Sequence, residues 1–399
     1  MYLDRGKYVT RMEALETLRT LWNPSLSEEQ VDLHEAAGRV LAQDIASVNT
    51  LPVFRASMMD GVAVSYEKLI QESGGNFPWT GTLPYALADT GDDFDDAYDT
   101  ILATEDVQRH ADGSITITPE EPVKKGQYIK SCGATLCAGQ HLLKKGTRLL
   151  PLYLALLGTA GICKVPVYKK PAVAYIPTGN ELIPIGTTPA RGQNIESNSA
   201  MVQAMLASWG AQARCYPILK DNLAAMEQAL MDACANAEMI LLNGGSSMGS
   251  EDYASRLLQK HAEWFQHGIR SIPGIPIALA LIKGKPVINL PGPTLATYYA
   301  MDWCVKALVC HMLGQPTPKR RTLDIALEKK IQKPEHLEMY YRLRVKEEGG
   351  RHTAEVLTPS GGFVNLITGC DALFIAPIGR DAFEAGETVN VELLSNFDI

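Results

Sequence analysis

The sequence predicts a multidomain fold of mixed α/β and all-β parts, and three observations predict it. A length of 399 residues is two to four ordinary domains at roughly 100–200 residues each. Strand and helix patterns alternate regularly from about residue 171 to 314, the mark of parallel βαβ units. Short alternating strands broken by Gly, Pro and Asp fill the stretches 51–148 and 319–399, which reads as β structure.

The elements follow in order. Apolar residues at helical spacing (Met12, Leu15, Leu18, Leu21) predict a helix from Thr10 to Trp22, and Ala36, Val40 and Leu41 predict a second from His34 to Ile45. After Pro52 the period changes to alternation, as in Ser114–Thr118, so 51–148 reads as a mostly β insert resembling a lid. The next strand is Ala172–Ile176; Ser197, Asn198 and Ser199 sit where a cap belongs before a helix through Met201, Met205 and Leu206. Ala213–Leu219 reads as a strand, Asp221 as the cap of a helix through Leu223, Met226, Leu230 and Cys234, and Met239–Leu242 as a buried core strand. Pro286–Leu290 leads through Pro291-Gly292-Pro293 into a long helix from about Leu295 to Leu313. The tail carries strands at Tyr340–Val345, Thr353–Leu357, Ala372–Pro377 and Thr388–Leu393, a small closed or sandwich-like β domain. The expected domains are 1–50 with 149–170 as a scaffold, 51–148, 171–318 and 319–399.

Composition narrows the function. Thirty-seven Lys and Arg against 45 Asp and Glu leave a net charge of −8, so the global field disfavours nucleic-acid binding. The N-terminal residues show no apolar signal core, and no stretch reaches the 18 or so apolar residues of a membrane span; the expectation is a cytoplasmic protein with no membrane association. The eight Cys form no repeated C-x-x-C pairs, which makes ordinary buried thiols the expectation; only Cys132 and Cys137 are close together in a loop.

Parallel sheets hold ligands beyond the carboxyl ends of their strands, so the loops at 177–181, 243–252 and 291–294 should converge on one crevice. The turn Gly244-Gly245-Ser246-Ser247-Met248-Gly249 can offer backbone N–H groups to an anion, or can be a tight packing turn. Glu181, Asp221 and Asp252 lie near strand ends of the same sheet, where oxygen ligands suit magnesium beside a phosphate; capping is the alternative, above all for Asp221. Asp60 precedes a glycine in what reads as a common Asp-Gly turn. Six aspartates between Asp89 and Asp99 read as a solvated acidic loop.

Together these residues resemble the molybdopterin molybdenumtransferase family, the bacterial MoeA proteins and the gephyrin E domain, across essentially the whole chain. Leu51-Pro-Val-Phe-Arg-Ala-Ser-Met-Met-Asp-Gly-Val-Ala-Val64 resembles the family's L-P-x-F-x-x-S-A-M-D-G-Y-A-V, and Pro177-Thr-Gly-Asn-Glu-Leu182 its S-T-G-D-E-L. Asn243-Gly-Gly-Ser-Ser-Met-Gly-Ser-Glu-Asp-Tyr253 resembles S-G-G-V-S-V-G-x-x-D-Y, and Leu290-Pro-Gly-Pro-Thr294 resembles L-P-G-N-P. The resemblance implies a cytoplasmic homodimer with an extended helical N-terminal part, a β lid, a three-layer α/β domain similar to the molybdopterin adenylyltransferase MogA with a mostly parallel sheet, and a C-terminal β-barrel. It implies insertion of molybdate into adenylylated molybdopterin with release of AMP and a requirement for Mg2+, with an adenylyltransferase or a molybdoenzyme as further partners. Carried over by position, Asp60, Glu181 and Asp252 would be catalytic, and Glu181, Asp221 and Asp252 would hold the metal. Thr90, Thr178, Gly179, Gly244, Gly245, Ser246, Ser247, Gly249, Pro291, Gly292 and Arg342 would bind substrate.

The chain departs from the pattern where charge should face the anion. The family's P-G-K-P loop and its preceding Lys become Ile272-Pro-Gly-Ile-Pro276, the second of its paired aspartates becomes Asn222, and the Arg-rich lid motif becomes Lys130-Ser-Cys-Gly-Ala-Thr135. Losing two charge-assisted hydrogen bonds costs about 3–6 kcal/mol, on the order of 10² to 10⁴ in binding or rate. Arg270, Lys283 and Lys285 are the nearest replacements in sequence. A working molybdate transferase, a pterin-binding carrier without turnover, and a transferase for tungstate or another substrate are all compatible with these changes.

Overall fold

Continuous aliphatic runs such as Ala172–Pro177 and Met239–Asn243 leave no polar face for solvent, and the chain buries them in the middle of a six-stranded sheet. The computed structural model describes residues 8–245 and 253–394. It divides into two units, one formed by the described residues up to Ser27 with those from Lys169 onward, the other by Glu28–Tyr168.

In the first unit the sheet strands are β1 (Ala172–Pro177), β2 (Gln212–Cys215), β3 (Met239–Asn243), β4 (Trp264–His267), β5 (Ala278–Ile282) and β6 (Lys285–Leu290). Their order is β2-β1-β3-β6-β5-β4. The first four are parallel, and β5 and β4 add an antiparallel edge. That edge was not read from the sequence, and β2 ends earlier than expected, before Pro217, which has no N–H to give to a ladder. Ala172, Ala174 and Ile176 pack against Met226 and Leu230 of the helix Leu223–Asn236 and against Leu257 and Leu258 of the helix Tyr253–His261. The helix Asn198–Trp209 packs on β1 and β2 and against the helical run Thr294–Met312, which continues through a wider turn at Met301–Val305. A sheet between two helical layers results.

Two caps differ from expectation. Asn222, not Asp221, caps Leu223–Asn236, its side chain accepting the Ala225 N–H at 3.0 Å. Ser197 has helical dihedrals, which turn its hydroxyl away from a capping position; the Ser199 N–H instead donates to Glu196 Oε1 at 3.0 Å. Beyond the sheet, Thr322–Leu327, Glu338–Glu348, Arg351–Val356, Ala372–Ala376 and Thr388–Leu393 close a five-stranded barrel around Ile325, Leu343, Ala372 and Phe374. Ser271–Ile272 pairs in parallel with Glu338–Met339, so the loop that follows is anchored on the barrel.

The unit Glu28–Tyr168 is built from short strands. Gly61–Val64 lies between Tyr85–Ala88 and Thr100–Ala103, and Ile115–Ile117 lies between Trp79–Gly81 and Val107–Arg109. The expected helix from His34 to Ile45 does not form. Only Leu33–Glu35 makes a single tight turn; Gly38 adopts a φ of +74°, and Val40, Leu41 and Ile45 join β pairings with Arg148, Val167 and Leu143. Helical spacing at 36, 40 and 41 coincides with burial reached by a bent extended chain, and tertiary pairing decides. Asp99 is more than a solvated charge: its Oδ1 accepts the Tyr66 N–H at 2.7 Å at the start of the helix Tyr66–Ser73. The described thiols are also divided, with Cys132, Cys137, Cys163 and Cys215 exposed and four buried. No described helix is long and apolar enough to cross a membrane.

Candidate active site

The parallel register aligns Pro177 with Asn243 and Asn243 with Leu290, so β1, β3 and β6 release their chains side by side at one edge. The three loops that follow enclose a cavity of about 840 Å³. Thr178, Gly179, Glu181, Asp221, Gly244, Gly245, Pro291 and Gly292 all line it, as do Pro273, Gly274 and Pro276 from the barrel-anchored loop. Ser246, Ser247, Gly249 and Asp252 lie outside the described residues.

Two glycines are required by geometry. Gly244 has a φ of +108°, and a Cβ there would stand 2.3 Å from the Thr178 carbonyl oxygen. Gly179 has a φ of +155°, and its Cβ would meet both Glu181 carboxylate oxygens within 2.8 Å. The Glu181 carboxylate therefore folds over Gly179, and no hydrogen bond from a described residue reaches it. Asp221 approaches the same turn from the other side: its Oδ2 accepts the Asn180 N–H at 3.2 Å, and its own N–H donates to Asn180 Oδ1 at 3.2 Å. Two carboxylates thus flank the two-residue turn Gly179-Asn180.

Beneath the cavity lies a buried polar network that the sequence analysis did not find. Asn243 Oδ1 accepts from the Tyr175 hydroxyl at 2.7 Å and from Asn198 Nδ2 at 3.0 Å, and Asn243 Nδ2 donates to the Pro291 carbonyl at 2.7 Å. Asn198 Nδ2 also donates to the Gly292 carbonyl at 2.9 Å. One side chain therefore ties the end of β3 to β1, to the helix Asn198–Trp209 and to the loop after β6. Burial, reinforced by the charge of Glu196, drives the Tyr175 phenol far above its ordinary value and keeps it a neutral donor. A polar residue ending an aliphatic strand was the available signal for Asn243; the sequence marks Asn198 only as part of a helix start and gives no signal for Glu196.

The described lining contains three carboxylates, Glu181, Glu196 and Asp221, and no Lys or Arg. The expected replacements do not supply one. Lys285 begins β6, about 16 Å along the strand from Leu290, and donates to the Ala237 carbonyl; Lys283 lies in the turn before it. Arg270 sits 3.6 Å from Glu13 and is absent from the lining. Arg342, carried over as a substrate-binding residue, does not line the cavity either: it is buried, with its guanidinium donating to the Leu366 carbonyl and to the Tyr299 hydroxyl. Its charge is spent on holding the barrel against the helical run Thr294–Met312.

In the unit Glu28–Tyr168, Asp60 ends the segment before Gly61–Val64, and its Oδ1 accepts both the Thr90 N–H at 2.6 Å and the Thr90 hydroxyl at 2.7 Å. These two donors, the hydroxyl foremost, hold the Asp60 carboxyl below the usual carboxylate range. Asp60 and Thr90 are thus one constellation, more specific than an Asp-Gly turn.

Comparison with known proteins agrees with this layout. Residues 9–161 match the family model described as MoeA N-terminal region (domain I and II), and residues 174–311 match the one described as probable molybdopterin binding domain. The molybdopterin molybdenumtransferase of Haemophilus influenzae is 28 % identical over 380 residues, covering 91 % of this chain and 93 % of that protein. That of Bacillus subtilis is 27 % identical over 388 residues, covering 92 % and 90 %. Among solved structures, the molybdopterin biosynthesis MoeA protein of Pyrococcus horikoshii superimposes with a TM-score of 0.80 at 26 % identity, over 97 % of this chain and 99 % of that one. Four collinear motifs, two successive family models and a shared architecture lead to one assignment: the chain belongs to the molybdopterin molybdenumtransferase family of molybdenum cofactor biosynthesis.

Proposed function

We propose that the chain binds adenylylated molybdopterin in the cavity beyond β1, β3 and β6, places molybdate on the dithiolene sulfurs, and releases AMP. The observation that carries this reading is the pair of carboxylates, Glu181 and Asp221, flanking one turn in a cavity that glycine and proline loops also line. Such walls suit a phosphate approached by N–H groups. The donor set fits Mg2+, which takes one or two carboxylates together with phosphate and water oxygens. Glu181 and Asp221, with Asp252, are the residues that would hold it, where it neutralises charge on the phosphates. Asp60 and Thr90, in the unit Glu28–Tyr168, are the further residues we assign to the reaction.

We further read residues 1–50 with 149–170 as a dimer-forming scaffold, 51–148 as the lid, 171–318 as the pterin-binding domain and 319–399 as the barrel, in a cytoplasmic homodimer. An adenylyltransferase that supplies the substrate, or a molybdoenzyme that takes the product, is the partner this chemistry calls for. One observation favours a second reading: a described lining with three carboxylates and no cation is a poor seat for molybdate. In that reading the chain carries the pterin nucleotide without turnover. Incubation of the protein with adenylylated molybdopterin, Mg2+ and either molybdate or tungstate separates the cases. AMP release above a no-anion control supports the transferase and names its anion; bound, intact adenylylated pterin with no AMP supports the carrier.

A further inference from the structure

A loop carboxylate is only as well placed as the backbone that carries it, and the backbone on both sides of Glu181 is held by other parts of the chain. The Glu181 carbonyl accepts the Asn194 N–H at 2.9 Å, which fixes the peptide plane after the residue. The plane before it is fixed by a side chain. Lys220 Nζ donates to the Asn180 carbonyl at 3.0 Å and to the Leu182 carbonyl at 3.2 Å, so one ammonium bridges two carbonyls on either side of Glu181. With both planes held, φ and ψ of Glu181 have little freedom, and the direction in which its Cβ leaves the chain is preset. Lys220 is itself placed by its neighbours. The Leu219 N–H donates to the Pro177 carbonyl at 2.9 Å, the Gly179 N–H donates to the Leu219 carbonyl at 3.0 Å, and Asp221 exchanges two bonds with Asn180. Leu219-Lys220-Asp221 therefore grips the segment from Pro177 to Leu182.

We propose that Lys220 is a positioning residue for Glu181, its ammonium presetting the carboxylate for a divalent cation. The inference rests on the reading of Glu181 and Asp221 as Mg2+ ligands. Mg2+ demands near-ideal octahedral geometry, so it rewards a ligand whose backbone is already in place. Adjacent residues then divide the work: Asp221 offers its own carboxylate, and Lys220 holds the backbone that offers the other. By charge alone an ammonium beside a cation site is unfavourable, since it repels the metal. The two roles therefore have opposite signs. Removing a lysine that acts through its charge tightens metal binding, whereas removing one that acts through the backbone loosens it.

The test uses the full chain without substrate, with Mn2+ as the paramagnetic probe of the Mg2+ site. Glu181→Gln, which loses a ligand, marks which bound ion belongs to this site. Lys220→Met keeps the length of the side chain and removes its donors, and Lys220→Arg keeps donors for the two carbonyls. Lys285→Met, which removes a lysine bond to the Ala237 carbonyl at the other end of β6, is the control. Lys220→Met is expected to weaken Mn2+ binding about tenfold or more, the scale of losing a group that orients a metal ligand, while Lys220→Arg and Lys285→Met stay within about twofold of the wild type. In the metal-free protein the order parameter of the Glu181 amide is expected to fall from about 0.85 to below about 0.6 in Lys220→Met alone.

Mn2+ binding that is unchanged or tighter in Lys220→Met, or an order parameter that does not move, overturns the proposal. The two readings fail separately. Mn2+ bound by the wild type and lost in Glu181→Gln, with Lys220→Met unaffected, leaves the metal site standing without Lys220. A wild type that binds no Mn2+ overturns the metal reading of Glu181 and Asp221, and the order parameter then decides by itself whether Lys220 holds Glu181.

Discussion

Asp60 and Glu181 are both acids on turns beside a glycine, yet the protein treats them in opposite ways. Asp60 accepts two hydrogen bonds from Thr90 and is held ionised below the usual carboxylate range. Glu181 folds over Gly179 and receives no hydrogen bond from a described residue. The first acid is used by the fold, which positions it and its threonine partner before any ligand arrives. The second has its acceptors unspent in a cavity, so a metal or a substrate must satisfy them. A family motif marks both positions equally, and only the local hydrogen bonding shows which one is pre-engaged.

The sharpest way to break this contrast is Glu181→Gln. Because the carboxylate receives no hydrogen bond from a described residue, the urea midpoint should stay where it is, while AMP release falls by about 10² to 10³, the size of losing one charged stabiliser of a reacting group. A shifted midpoint with retained turnover would show that Glu181 belongs to the fold after all. The second test adds charge instead of removing it. Ile272→Lys with Ile275→Lys returns two cations to a loop whose Pro273, Gly274 and Pro276 line the cavity. Molybdate affinity, read by isothermal titration, should rise by about 10- to 100-fold per charge-assisted bond formed; an unchanged isotherm would mean that the anion approaches another wall. A third, smaller effect separates Asp221 from its neighbour. Asn222→Ala should cost about 1 kcal/mol in unfolding free energy, since Asn222 caps the helix Leu223–Asn236. Asp221→Asn should leave stability alone and weaken metal-dependent turnover.

What was legible in the sequence follows from which signals are local. Ala172–Pro177, Met239–Asn243 and Lys285–Leu290 are aliphatic runs bounded by turn residues, and once they are parallel strands the convergence of the loops after them is a rule of topology. Gly38 is a case where locality misleads: one residue in the left-handed region turns a helical spacing into bent extended chain. The site's chemistry was only half legible. Glu181 and Asp221 stand in a motif, whereas Tyr175, Glu196, Asn198 and Asn243 meet across long sequence separations with no fixed spacing. The replacements proposed for the lost cations failed because nearness in sequence was taken for nearness in space. Lys285 is five residues from Leu290, but along a strand those residues separate it from the cavity.

The smallest effect concerns the pre-engaged acid itself. The folded Asp60 pKa lies below its unfolded value near 3.9. A depressed carboxylate contributes its stability fully above the unfolded pKa and loses it as pH falls through the folded one. Asp60 therefore contributes a constant amount from pH 5 to 8, and its titration shows only below about pH 4. The Thr90 hydroxyl is the larger of the two causes, so Thr90→Val should raise the Asp60 midpoint toward the ordinary carboxylate value while the Thr90 N–H keeps part of the shift. Carboxyl-carbon NMR titration of the wild type and the variant reads this directly. A midpoint unmoved by Thr90→Val would show that the backbone N–H alone holds the acid, and the contrast with Glu181 would then rest on the turn, not on the threonine.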